Sequence, residues 1–254
     1  MKPLNHAGGG ARVTRAVGLA RALSKLGHCS RSRAAVLIRD GLVKLNGRVR
    51  CDPETPVDLD SDKIEVSEHA VAAREFVYLA LNKPRGVVTT ASDEKGRETV
   101  YNYLDKSLPW VAPVGRLDKA SEGLLLLTND SEWAARILAP ESHVQKTYHV
   151  QIRSTAPQDV VKAMAAGVKG QGEFLHAVQA AVLRHGRSNA WLEITLHEGR
   201  NRQIRRMVDA CEAEVLRLVR VSIGPLSLGT LAKGQVRRVS PAEKSAVDRA
   251  LRNG

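Results

Sequence analysis

The stretch Gly115-Arg116-Leu117-Asp118-Lys119-Ala120-Ser121 carries one carboxylate, Asp118, between two cations. A carboxylate so placed can act as nucleophile or base. Four leucines follow at 124–127, bounded by Gly123 and by Asn129-Asp130. Such a run predicts a short strand buried on both faces. A charged loop leading straight into a core strand is how a rigid scaffold presents a reactive group. Residues two apart in extended chain point the same way, which puts Arg116 on the side of Asp118. Taken alone, an Asp before a turn serves equally well as a turn or cap residue.

Two further segments carry groups of the same kind. Gln145-Lys146-Thr147-Tyr148-His149-Val150-Gln151-Ile152 alternates as a strand and places Tyr148 with Val150 and Ile152 on the apolar side. Pattern alone makes Tyr148 a core residue as readily as a binding one. His197-Glu198-Gly199-Arg200-Asn201-Arg202-Gln203-Ile204-Arg205-Arg206 opens a predicted helix, with Asn201 as its cap and four arginines at its start. Cations there oppose the helix dipole, a conflict that an anionic partner relieves, whether phosphate or carboxylate.

The 254 residues allow one or two domains with a real core, and the formal charge of +12 points to a polyanionic partner. Aromatic residues make up only 4% of the chain, which argues against a single-strand binder built on many stacking rings. Cys29, Cys51 and Cys211 are far apart and form no CxxC pair, so neither a zinc site nor a disulfide framework is expected. No apolar run has the length of a membrane span. The arginine-rich start has the look of a transit peptide, but Arg15 and Arg21 interrupt any signal-peptide core and folded motifs begin at once. A bacterial cytoplasmic protein is expected.

The elements that must position these groups fall into two parts. Residues 1–12, with Gly8-Gly9-Gly10, read as a disordered tail. Residues 13–66 form a small module. Leu19, Leu23 and Leu26 have helical spacing with Gly27 as terminator, and Ser30 caps a second helix ending at Gly41. Asn46-Gly47 marks a hairpin, and a strand covers residues 63–66. Between positions 11 and 50 lie ten Lys and Arg against the single acid Asp40. Residues 67–73 read as a linker, and the second domain runs over 74–254. It opens with a strand over 76–81, and Lys83-Pro84-Arg85-Gly86 is a basic turn. Helices are predicted over 132–138 and 156–167, a turn over 167–172 and a half-buried strand around Leu192, Ile194 and Leu196. Strands over 215–223 and 235–239 follow, and the tail from Pro241 reads as a short, exposed, charged helix.

The string from Gly115 to Asp130, with its Ser and Gly spacing and leucine strand, resembles the signature of the pseudouridine synthases, and within them the Rsu-type family that modifies ribosomal RNA. Lys83-Pro84-Arg85-Gly86 is similar to the first motif of that family and Gln203-Ile204-Arg205 to its third. Gly27 to Arg33, Ile38 to Val43 and Asn46-Gly47 resemble the S-four-type RNA-binding domain. The resemblance runs from about residue 13 to 240. It implies an α+β protein: a small basic RNA-binding domain, then a catalytic domain with a mixed, mostly antiparallel sheet and flanking helices.

The same resemblance implies the chemistry. Asp118 is the catalytic aspartate, Tyr148 the ring that stacks on the target base, and Arg205 the basic residue paired with the aspartate, with Arg202 and Arg206 as rivals. Isomerising uridine breaks a carbon–nitrogen glycosidic bond and rejoins the sugar to carbon five of the base. No atoms are lost and no redox change occurs, so no cofactor and no metal are expected. Asp118 must be ionised in an enclosed pocket, and an adjacent arginine opposes the effect of burial. Arg116 is placed to fill the position of the extruded base or hold a phosphate, and Leu218 to give an apolar wall. Arg31, Arg33, Arg39, Lys44 and Arg48 of the first module, with Arg202 and Arg206, are expected RNA contacts. The partner is ribosomal RNA, no membrane is involved, and the protein is expected to be a monomer. Two alternatives stand beside this: a non-catalytic RNA-binding assembly factor on the same scaffold, and a tRNA-directed synthase.

Overall fold

A computed structural model describes residues 16–71, 75–91 and 93–253. The expected tail over 1–12 lies outside these residues, as do positions 13–15 of the expected first module and 72–74 of the expected linker. The chain divides into two compact units, Met1–Arg74 and Glu75–Gly254.

In the first unit, β1 (Val17–Gly18) leads into α1 (Leu19–Lys25) and α2 (Arg31–Arg39). The strands β2 (Val43–Leu45), β3 (Arg48–Val49), β4 (Pro56–Val57), β5 (Ile64–Val66) and β6 (His69–Ala70) follow. They form a sheet of order β3-β2-β5-β6 and a separate β1-β4 pair. Ser30 caps α2 by accepting from the Arg33 amide at 3.1 Å. Asn46 and Gly47 both have positive φ, as a two-residue hairpin turn requires. Leu19, Leu23, Ile38, Val43 and Ile64 close a core of their own. The expected linker is partly structured: Ser67 and Glu68 form a turn and His69–Ala70 add an edge strand to β5. A two-residue strand is too short to leave a period in the sequence.

The second unit carries β7 (Tyr78–Lys83), β8 (Ala112–Pro113), β9 (Glu122–Thr128), α3 (Ser131–Leu138), β10 (Lys146–Arg153), α4 (Pro157–Ala166), β11 (Val168–Gly170) and β12 (Glu173–Leu175). Then come β13 (Gln179–His185), β14 (Asn189–Leu196), α5 (Gln203–Ala210), β15 (Glu214–Ile223), β16 (Leu226–Ser227), β17 (Val236–Arg238) and α6 (Pro241–Asn253). The main sheet has the order β13-β14-β10-β15-β9-β7-β17, with β16 on β15 and β8 on β9. Among the described strands of this sheet only β15 and β9 pair in parallel, so the sheet is mixed and mostly antiparallel as expected.

The leucine run explains the centre of this sheet. Every residue of β9 is buried. Leu125 and Leu127 join a core with Leu79, Leu81 and Val150 on one face, while Leu124 and Leu126 join Trp133, Ile137 and Val247 on the other. Burying each such side chain contributes about 2 kcal/mol, so β9 is a stiff base for the loop before it. Two expectations change. Residues 167–172 are not a plain turn but most of a hairpin, β11 with β12, turning at Gln171-Gly172. The final helix is not simply exposed: Val247 is fully buried, and Trp133 Nε1 donates to Asp248 at 3.0 Å.

Candidate active site

The loop 115–121 enters β9 with its backbone held at each carbonyl from Leu117 to Ser121. Thr89 Oγ1 donates to Leu117 O at 2.9 Å. Lys83 Nζ donates to Asp118 O at 3.2 Å and to Ser121 O at 2.9 Å. The Gly86 amide donates to Lys119 O at 2.7 Å, and Arg205 Nη2 to Ala120 O at 3.3 Å. Buried carbonyls need such partners, and here the partners also fix the loop. Lys83 is wholly buried, and burial pulls its ammonium down to about 8 against the opposing pull of Asp118 and Glu122. The Lys-Pro turn is therefore a support for the loop.

Glu122 and Gly123 lock the junction. Glu122 is buried and receives Arg217 Nε at 2.9 Å and Lys233 Nζ at 2.6 Å. Burial pushes its carboxyl up, but the two cations outweigh burial and hold it below the usual carboxylate range. Gly123 has φ +101° and lies against β15 so closely that a Cβ there would stand 2.3 Å from Arg220 O. Only glycine fits.

A cavity of about 530 Å³ opens where the loop meets β9. Its wall includes Arg116, Asp118 and Ser121 from the loop, Lys146 and Tyr148 from β10, Arg200 and Arg202 before α5, and Leu218 and Arg220 from β15. Asp118 is exposed on this wall, in contrast to the enclosure expected for it, and Tyr148 is buried, at 8% exposure. Among the described residues Asp118 is the one acid of the wall, set among cations. The wall is therefore electropositive, suited to a polyanion with one reactive carboxylate at its contact point.

The structure brings together Asp118, Tyr148, Arg116, Arg202 and Leu218, all predicted as site residues. It does not pair Arg205 with the carboxylate of Asp118: among the described residues no ion pair within 4 Å joins them, and Arg205 reaches the loop through the Ala120 carbonyl. Burial and the neighbouring Arg202 pull the Arg205 guanidinium below its ordinary value, while the charge of Asp118 opposes them. Arg206 turns to the β11–β12 hairpin, where it pairs with Glu173 and donates to Gly170 O at 3.4 Å. Asn201 is not the cap of α5; Arg202 takes that place in the left-handed region, and Gln203 Oε1 accepts from the Arg200 amide at 3.1 Å.

Sequence reasoning passed over Lys146 and Arg220. Strand alternation carried both signals, since Lys146 shares the parity of Tyr148, and Arg220 that of Leu218. In the first unit Arg31, Arg33, Arg39 and Arg48 are exposed and make no ion pair within 4 Å among the described residues. Lys44 lies 3.7 Å from Glu68. No helix among the described residues is long and apolar enough to cross a membrane.

The family model described as RNA pseudouridylate synthase matches residues 77–210, and the S4 domain model matches residues 17–64. The chain is 36% identical over 227 residues to the ribosomal large subunit pseudouridine synthase B of Bacillus subtilis, covering 89% of this chain and 93% of the relative. It is 36% identical over 230 residues to an uncharacterized RNA pseudouridine synthase of Aquifex aeolicus, covering 90% and 92% of the two chains. A crystal structure of a pseudouridylate synthase superposes with a TM-score of 0.64 at 30% identity, over 91% of this chain and 99% of the other. The loop, the cavity and these matches together establish that the chain belongs to the RNA pseudouridylate synthase family, with an S4 domain preceding the catalytic one.

Proposed function

We propose that this protein converts a uridine of ribosomal RNA to pseudouridine, with Asp118 as the reacting carboxylate. The observation that carries the reading is the fixed loop that sets this one carboxylate on a cationic wall beside Tyr148. The target base is out of reach inside a duplex and is flipped into the cavity at a cost of a few kcal/mol. Stacking on Tyr148 offsets part of that cost, at about 1–3 kcal/mol per base. Asp118 acts on the ribose, by attack on the anomeric carbon or by removal of a sugar proton, while the uracil detaches and turns to present carbon five. Arg116 and Arg202 hold the phosphates on either side. Arg205 is a positioning residue that keeps the loop in place through Ala120.

The S4 domain supplies a second grip on RNA through Arg31, Arg33, Arg39, Lys44 and Arg48. The protein works as a monomer in the cytoplasm. Mapping pseudouridine in ribosomal RNA from cells with and without the gene tests the reading. One or more modified positions vanish without it; an unchanged map refutes the ribosomal substrate.

A further inference from the structure

Arg220 has no role in the mechanism above, yet it stands in the wall of the cavity. It lies across from Tyr148 on β10 and from Gly123 on β9. The β9–β15 ladder is two pairs long, and where it stops Arg220 Nε donates to the Leu124 carbonyl at 2.7 Å. The residue is only 6% exposed, and no carboxylate pairs with it within 4 Å among the described residues. Its Nη2 reaches neither solvent nor any partner. A buried charge without a counter-ion is costly, and a sealed, unbonded N–H adds to that cost. Lys146 lines the same cavity, its ammonium pulled down to about 8 by burial and by Arg220. Two cations thus line one cavity, and among the described residues neither has a carboxylate within 4 Å, an arrangement complementary to an electron-rich ligand group.

We propose that Arg220 is a further substrate-binding residue that takes a ring carbonyl of the target uracil and stabilises the negative charge of the detached base. The inference rests on the function proposed above. With the base against the Tyr148 ring, a guanidinium on the neighbouring strand meets the edge of the base, where its oxygens are. When the bond between N1 and C1′ opens, its electron pair stays with uracil and spreads over N1, O2 and O4. C1′ is then bonded to Asp118, or the sugar has given a proton to it. As carbon five bonds to C1′, the bond from C1′ to Asp118 breaks, or the sugar takes its proton back from Asp118; carbon five then loses its proton and N1 gains one, so atoms and electrons balance without a co-reactant. The anionic base exists only between these two steps. A donor aimed at it speeds reaction without tightening RNA binding.

Arg220→Met and Arg220→Lys are compared with the wild-type protein in single-turnover reactions at saturating enzyme. The substrates are unmodified ribosomal RNA transcripts made with uridine or with 5-fluorouridine, whose base is a more acidic leaving group. The Arg220→Met protein should bind RNA within about threefold of wild type and consume uridine on the order of 100-fold more slowly. Its deficit on 5-fluorouridine should be at least about fivefold smaller, because that base needs less help to leave. Arg220→Lys should show the same inequality in smaller measure, and it carries the test if the methionine variant does not fold. An equal deficit on both RNAs marks a structural role and overturns the inference. Weaker RNA binding with an unchanged rate marks a phosphate contact and also overturns it. A wild-type protein that forms no pseudouridine in either ribosomal RNA removes the proposed function itself, a result distinct from an active wild type with an equally active Arg220→Met.

Discussion

Lys83 donates from Nζ to the main-chain carbonyl of Asp118 at 3.2 Å, and the same ammonium reaches Pro84 O at 3.0 Å and Ser121 O at 2.9 Å. Three acceptors match three donors, which only the protonated amine supplies. A wholly buried cation thus holds the loop that carries the reactive carboxylate.

Burial places Lys83 near 8 in the native protein, below its ordinary value of about 10.4. Between these pH values the unfolded chain binds more protons than the native one, so this residue makes the protein more stable as pH rises from about 8 to 10. The Lys83→Met protein should lack that component, worth about 2–3 kcal/mol across the window. Urea unfolding of both proteins at pH 7.5, 9 and 10 measures it; parallel profiles would show that Lys83 keeps an ordinary affinity for its proton.

Gly123→Ala should destabilise the second unit by about 3 kcal/mol or more, because the new Cβ meets Arg220 O at 2.3 Å in a backbone conformation that disfavours side chains. Chemical denaturation provides the measure. A loss below about 0.5 kcal/mol would mean that β9 and β15 can move apart freely.

Glu122→Gln leaves Arg217 and Lys233 without their shared carboxylate. Both cations are partly exposed, so the loss should be about 2–3 kcal/mol, under the range for a fully buried pair. The native carboxyl titrates below its unfolded value, so its contribution is present above the usual carboxylate range and disappears as pH falls through the depressed value. The variant should therefore show a shallower acid limb in thermal unfolding. Identical acid limbs would contradict the ion triad.

Part of this architecture is plain in the residues and part is not. The leucine run, bounded by Gly123 and Asn129, reads as a strand buried on both faces, and Ser30, Gly27 and Asn46-Gly47 act locally at the turns they mark. The supports of the loop are another matter. Thr89 and Lys83 lie 28 to 38 residues from the loop carbonyls they bind, and no local pattern reports such a contact. The third motif put Arg205 near Asp118, yet only coordinates show which atom of the loop it reaches. Arg220 was hidden by its company: β15 carries two arginines, Arg217 and Arg220, and only the folded chain shows that the second is the buried one.

Charge reversal at Arg31 and Arg33 should weaken binding to ribosomal RNA fragments and flatten its salt dependence. Every phosphate that is no longer neutralised takes about 0.7–0.9 of a unit from the slope. Titrations between low and moderate salt give the slope. A slope equal to that of the wild-type protein would exclude these two residues from the RNA interface.

Pseudouridine formation by Asp118→Asn tests the central claim most directly, because the substitution keeps the side chain's size and removes its charge. On unmodified ribosomal RNA, with binding checked in the same samples, the variant should hold the RNA near normally and form no pseudouridine. Turnover at a rate near that of the wild-type protein would contradict the account.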